Sequence, residues 1–249
     1  RYLYQVELDE KGNVKQIIIE HLRERLVRNE DIFEWVAPIH ETLIEKVPTD
    51  KTDYQGFLVV HLCTHKDLEA SMYRNIEILE QNLIDNPNDP RPIYYLAKTY
   101  FDTHDPMILY ERLGEGLDSY TMELFKDYIR KSGWAEERSQ CWEYLSMIHR
   151  ERGEYNLAIT ALLEAMAEEP KFPSIYIQMA LCNVYLKNWT RAMHWLKVAG
   201  GIDMPKTTLV VNPRDYKMMM LEVLYHVYLN TGQLEKCQKV AIALLDLLP

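Results

Sequence analysis

The sequence predicts a mainly helical protein: a solenoid of helical hairpins preceded by a small antiparallel β segment. Three observations carry this expectation. Apolar residues alternate in strand-like runs over roughly the first sixty positions, then switch near Lys66 to the helical period. A pattern of large and small residues recurs at intervals of about 34 positions over the second half. Proline falls where each of these helical segments should stop, as at Pro87 and Pro170.

The β segment comes first. RYLYQVEL alternates, DEKGN supplies turn residues, and KQIIIEHLRERLVRN returns as an antiparallel partner. Ile17 and Ile19 are expected to pack that sheet against the first helices. FEWVAPIHETLIE, beginning at Phe33, is a third strand-like run interrupted by Pro38. Strand alternation across it sets His40 and Glu41 on opposite faces unless Pro38 distorts the run. PTDKTDYQ is a polar connection, and GFLVVHLC has the short β-branched character of a buried strand. A helix then follows in DLEASMYRNIEILEQNLIDNPNDP, with Met72, Ile76, Leu79 and Leu83 on one face and a stop at Pro87.

The recurring unit is clearest in SQCWEYLSMIHRERGEYNLAITALLEAMAEEP. Trp142, Leu145, Ser146 and His149 line a first helix, Gly153 and Tyr155 make the turn, and Ala158, Leu162 and Ala165 line a second. The next copy has Tyr176, Met179, Ala180, Asn183, Trp189, Ala192, Leu196 and Ala199, with Pro205 one place late. A third has Leu221, Leu224, Tyr225, Tyr228, Gly232, Cys237, Ala241 and Leu244. Small residues are needed where the two helices of a hairpin cross closely, and large ones fill the space between hairpins. The pattern resembles the tetratricopeptide repeat. An earlier copy, PRPIYYLAKTYFD, reaches its second helix, TMELFKDYIRKSG, only after the insertion THDPMILYERLGEGLD. A second insertion, PKTTLVVNPRD, separates the last two copies, and insertions in a solenoid often cluster on the binding face.

Composition narrows the function. Net charge is -10 and pI about 5.3, which argues against nonspecific nucleic-acid binding, because phosphate contacts need a basic stripe. No apolar run of ~18 residues is present, so no membrane span is expected. Cys63, Cys141, Cys182 and Cys237 form no CxxC pair and read as reduced core thiols of a cytoplasmic protein. Seventeen tyrosines against nine glycines suit packed helices better than a loop-rich enzyme. A chain opening at Arg1 directly into strand alternation, with no signal peptide, is expected to be truncated, processed or excised.

Several motifs have bland readings. His61 and His65 flank Cys63 in HLCTH, but no second Cys/His pair follows, which favours core and surface residues over a metal cluster. DNPNDP lacks the glycine and distal glutamate of a calcium loop and reads as an inter-helix turn. Met218, Met219 and Met220 read as core of the last repeat. There is no Gly-rich phosphate loop and no nucleophile-elbow serine.

Arg23, Arg25 and Arg28 in HLRERLVRN, then Trp35, His40 and Glu41 in FEWVAPIHE, His61 in LVVHLC, the run from MYRNIEIL to YYLAKTYFD, and GWAEER (residues 133–138) share an order and spacing. In these features the N-terminal part resembles the end of a family-2-like glycosyltransferase catalytic domain of GT-A fold. That resemblance implies transfer of a sugar from a nucleotide-sugar donor to a protein or glycan acceptor. It implies catalytic roles for Glu41, Arg25 and Arg28, donor or acceptor contacts for Trp35 and Arg23, and a metal-ligand role for His40. A divalent cation, Mn or Mg, would neutralise the diphosphate leaving group in the full-length enzyme. The nucleotide-binding half and the Asp-x-Asp motif are not in this sequence, so neither a cofactor nor turnover is expected of the chain alone. The expected organisation is a transferase remnant (1–65), a connecting helix with an irregular repeat (66–138) and three repeats (139–249). The repeats would hold an acceptor or make a homodimer contact. The alternative is a non-catalytic interaction scaffold, since repeat arrays bind along a concave face.

Overall fold

Asp9 shows how locally the first hairpin is determined. Its Oδ1 accepts from the backbone N–H of Lys11 at 2.9 Å and of Asn13 at 2.8 Å, and Gly12 takes the left-handed conformation at φ 80. The computed structural model describes residues 2–21, 27, 30–50, 52, 59–60, 65–102, 117–207, 209 and 211–247. These fall into two compact units, Arg1–Pro87 with Val210–Asn212, and Asn88–Leu209 with Pro213–Pro249.

In the first unit, β1 (Tyr2–Leu8) pairs antiparallel with β2 (Val14–His21), as the alternation predicts. How the side chains of Ile17 and Ile19 pack lies outside the described residues. A short β5 (Val59–Val60) runs parallel to β1, giving the order β2-β1-β5. The expected third run is not one strand. It folds into a ribbon of β3 (Phe33–Val36) and β4 (Thr42–Glu45), antiparallel to each other. Pro38 explains the break: it has no N–H for a ladder and its ring fixes φ. Ala37 (φ 70) and His40 (φ 51) turn the chain through the left-handed region. Lys46 N–H to the Ile32 carbonyl and the Lys46–Asp31 ion pair, 2.9 Å, hold the open end. α1 (His65–Asp85) completes the unit; Ile76 and Leu79 are buried, while Met72 and Leu83 of the same predicted face are half-buried.

The described residues of the second unit form four helical hairpins: α2 (Pro90–Asp102) with α3 (Leu117–Lys131), α4 (Ala135–Glu151) with α5 (Tyr155–Glu168), α6 (Pro173–Tyr185) with α7 (Trp189–Ala199), and α8 (Pro213–Asn230) with α9 (Leu234–Leu245). Residues 103–116 of the first insertion lie outside the described residues, and its last two, Leu117 and Asp118, open α3. Ala158, Ala165, Ala192 and Ala199 are buried at the helix crossings, and Leu162 and Leu196 fill the core beside them. The Ser139 hydroxyl donates to the Ala165 carbonyl at 2.9 Å, pinning α4 to α5.

Three hairpins share one turn. Gly153, Lys187 and Gly232 stand at equivalent positions with φ 75, 57 and 72. Each N–H bonds a carbonyl three residues back, and the following N–H (Glu154, Asn188, Gln233) bonds one five back, closing the helix in a Schellman motif. Lys187 holds a conformation that its Cβ disfavours and that glycine adopts freely.

The first helices α4, α6 and α8 pack against one another, whereas among the described residues the second helices make no comparable contact with each other. The array therefore curves with its first helices inside. Cys141, Cys182 and Cys237 are buried free thiols, as predicted, and burial pushes the Cys182 thiol up to about 11; Cys63 lies outside the described residues. Met218, Met219 and Met220 are half-buried rather than core. Three consecutive helical residues sweep too wide an arc to face inward together, and Val223 and Val227 carry the buried side of α8.

Two substitutions check this packing. Ala158→Leu should lower unfolding free energy by ~1–3 kcal/mol through overpacking, and Lys187→Gly should raise it by up to ~1 kcal/mol by relieving the left-handed turn. Urea unfolding measures both; no loss in the first would contradict the repeat register.

Candidate functional site

The inner face narrows along the array. α6 and α8 pack closely, so Ile177 and Gln178, on the inward side of α6, are buried. The Arg150 guanidinium donates to the Gln178 side-chain oxygen and closes the step from α4 to α6. α2 and α4 meet chiefly through long side chains. Tyr95, Lys98, Phe101, Gln140, Tyr144 and Met147 are all half-buried.

The sequence assembles this surface from the repeat itself. Leu96, Ala97 and Tyr100 of α2 are committed to the core, so the residues between them, Tyr95, Lys98 and Phe101, turn inward. Buried Leu145 and Ile148 do the same for Tyr144 and Met147 on α4. The Tyr94 hydroxyl donates to Gln140 across the gap. Phe101 and Tyr144 lie with ring centroids 4.7 Å apart, and Tyr144 stacks on buried Phe125 of α3 at 5.1 Å. Cations border these rings: Lys98 Nζ lies 5.9 Å from the Tyr144 centroid, and the Arg91 guanidinium 5.3 Å from that of Tyr95. Lys98 also pairs with Asp102.

Beneath the surface, α3 and α4 are locked by polar contacts. The Tyr128 hydroxyl donates to Glu137, whose carboxyl is raised by burial and partly drawn back by that bond and by Arg91. Arg138 donates to Glu168 at 2.6 Å and to the Ser132 carbonyl at 2.9 Å. The GWAEER stretch is thus the joint between the first two hairpins. Burial opposes the charge of Glu136, but hydrogen bonds from Lys171 Nζ and the Thr207 hydroxyl, each 2.5 Å, outweigh it and hold that carboxyl below the ordinary range. Thr207 belongs to the second insertion, which is therefore tied to the start of α4.

The residues singled out by the glycosyltransferase resemblance lie in the first unit. Arg23, Arg25 and Arg28 fall outside the described residues. Trp35 is on β3 and 54% exposed. His40 and Glu41 are neighbours in the β3–β4 turn, both exposed, so strand alternation does not separate them. Beside that turn, Pro38 and the α1 residues Glu77, Ile78, Gln81 and Asp85 line a shallow open depression. Among the described residues no group of three His, Cys, Asp or Glu side chains is placed to hold a metal ion. No described helix is long and apolar enough to cross a membrane.

No family model and no curated protein matches the chain. Solved structures do. A crystal structure of MamA is 16% identical, with 75% of this chain and 96% of that chain covered and a TM-score of 0.50. MamA 41-end from Desulfovibrio magneticus RS-1 is 13% identical, covering 72% of this chain and 87% of that one, TM-score 0.50. A crystal structure of a variant of the Podosopora anserina putative kinesin light chain, with nearly identical TPR-like repeats, is 13% identical, covering 72% of this chain and 88% of that one, TM-score 0.50. The chain has a tetratricopeptide-like repeat fold. At these identities the likeness shows the fold alone.

Sequence reasoning from the β segment passed over the aromatic inner face. Its signal was present in PRPIYYLAKTYFD, where aromatic residues exceed what one core stripe can hold. Tyr144→Ala should cost ~2–4 kcal/mol, since it removes a ring packed on two others. Lys98→Ala should cost no more than ~0.5 kcal/mol, because its ion pair is an exposed one. Thermal or urea unfolding separates the two.

Proposed function

We propose that the chain is a protein-interaction module that holds a partner polypeptide along the inner face of its repeats, over α2 and α4. The observation that carries this is the half-buried strip of Tyr95, Phe101, Tyr144 and Met147, bordered by Lys98 and Arg91. Rings and a thioether make adaptable apolar contact, the bordering cations add direction, and the rigid hairpins behind them reduce the ordering cost of binding. Binding of this kind needs no cofactor. Buried free thiols suit a reducing compartment, so the proposal places the protein in the cytoplasm. A peptide array probed with the purified chain, followed by fluorescence anisotropy on its strongest peptide, tests this. Phe101→Ala should weaken that peptide at least ~10-fold, whereas Leu163→Ala on the outward side of α5 should leave its affinity unchanged. Equal effects would contradict the proposal.

A second reading rests on a different observation: Trp35, His40 and Glu41 stand exposed together on the β3–β4 ribbon. This suits the C-terminal part of a glycosyltransferase in which the ribbon completes a donor site, with His40 at the metal, Trp35 against a sugar ring and Glu41, Arg25 and Arg28 at the reacting groups. In that reading the division at 1–65, 66–138 and 139–249 separates catalytic remnant, connector and acceptor-holding or dimer-forming repeats. In a parent enzyme, His40→Ala should then lower kcat/KM and alter metal dependence while leaving the melting temperature in place. Unchanged kinetics would exclude it.

A further inference from the structure

We propose that the insertion between α7 and α8 is an intramolecular occupant of the inner face: it sets Thr207 on the strip of α4 along which a partner polypeptide lies, so that insertion and partner compete. The inference rests on the inner face being the binding surface. Residues 169–172 suffice to pass from α5 to α6, whereas the passage from α7 to α8 takes residues 200–212. The extra chain is more than a link between hairpins needs. It reaches back to α4, where the Thr207 hydroxyl donates to the Glu136 carboxylate at 2.5 Å across 71 positions of sequence.

Glu136 stands on the inward stripe of α4. Gln140, Tyr144 and Met147 follow it at i+4, i+8 and i+11, positions that share one helix face, and all four are half-buried. Three elements build the contact. Glu136 comes from the first turn of α4, Lys171 from the turn before α6, and Thr207 from the insertion. Lys171 Nζ donates to one carboxylate oxygen at 2.5 Å and Thr207 to the other. The Leu209 N–H donates to the Thr207 hydroxyl oxygen at 3.0 Å, which leaves the hydroxyl proton for Glu136. Thr207 and Leu209 are half-buried, whereas Lys206 beside them is exposed.

These positions set the competition. Glu136 and Met147 are eleven residues apart on α4, about 16 Å at ~1.5 Å per residue. An extended polypeptide advances about 3.3 Å per residue. One that runs along α4 from Met147 therefore meets Thr207 after about five residues. To go further it displaces the insertion and supplies its own donor to Glu136. A serine or threonine hydroxyl does this, because it repeats the bond that Thr207 makes.

The test is to probe the peptide array with the unmodified chain, with Thr207→Val and with Lys206→Ala, and to measure the strongest peptide against each by fluorescence anisotropy. Thr207→Val keeps the shape of the side chain and loses the hydroxyl, so binding should tighten on the order of 10-fold. Lys206→Ala should leave the affinity unchanged. Equal or weaker binding by Thr207→Val would overturn the occupancy and leave the binding function standing, and so would equal tightening by both variants. Peptides held by Thr207→Val alone would support the occupancy. If none of the three chains holds a peptide, the binding function falls and the occupancy with it. Should Thr207→Val not fold, the Thr207 methyl signal of the unmodified chain decides: saturating peptide should move it to its random-coil position, and a signal that stays in place at saturation overturns the proposal.

Discussion

The close crossing of the two helices in each hairpin is the constraint on which the rest of the second unit depends. Ala158 and Ala192 are fully buried at that crossing, and nothing larger fits without parting the helices. Once the pair is close, the chain must reverse within a few residues, and the left-handed position at Gly153, Lys187 and Gly232 does this. The pair then has a fixed set of outward residues with which to meet its neighbour. Hairpin stacking, the inward placement of first helices and the composition of the inner face all follow from that one distance.

The inner face is what remains after the core has taken its share. On α2, Ile93, Leu96, Ala97 and Tyr100 are buried, which leaves Tyr95, Lys98 and Phe101 to meet α4. Large rings there keep the two helices apart while filling the space between them. Further along, α6 carries Ile177 and Gln178 inward, and α8 closes on them. A single array thus holds a half-buried aromatic stretch and a buried polar one. The Arg150 guanidinium, bonded to Gln178, holds the polar one.

The repeats were legible because their signal is redundant: Ala158 recurs as Ala192, Leu162 as Leu196, and the three turns share one position. Strands β1 and β2 were legible from alternation and from the turn residues at Asp9 and Gly12. The parallel pairing of β5 with β1 was not, since alternation carries no direction. The ribbon of β3 and β4 is not legible from alternation, which runs on past Pro38 as if through one strand, whereas a residue without an N–H, set beside left-handed Ala37 and His40, reverses the chain. The site was harder to read. A titratable residue in a short motif draws notice, whereas Tyr95, Phe101 and Tyr144 read as core until the register shows that the core is already full.

Which face of the repeats meets a partner is the deciding question. Methyl and aromatic NMR of the chain, with and without a saturating bound peptide, addresses this directly. Shift changes should concentrate at Tyr95, Phe101, Tyr144 and Met147 on α2 and α4. Changes confined to the outward residues of α5 and α7, such as Leu157, Leu163 and Met193, would contradict it.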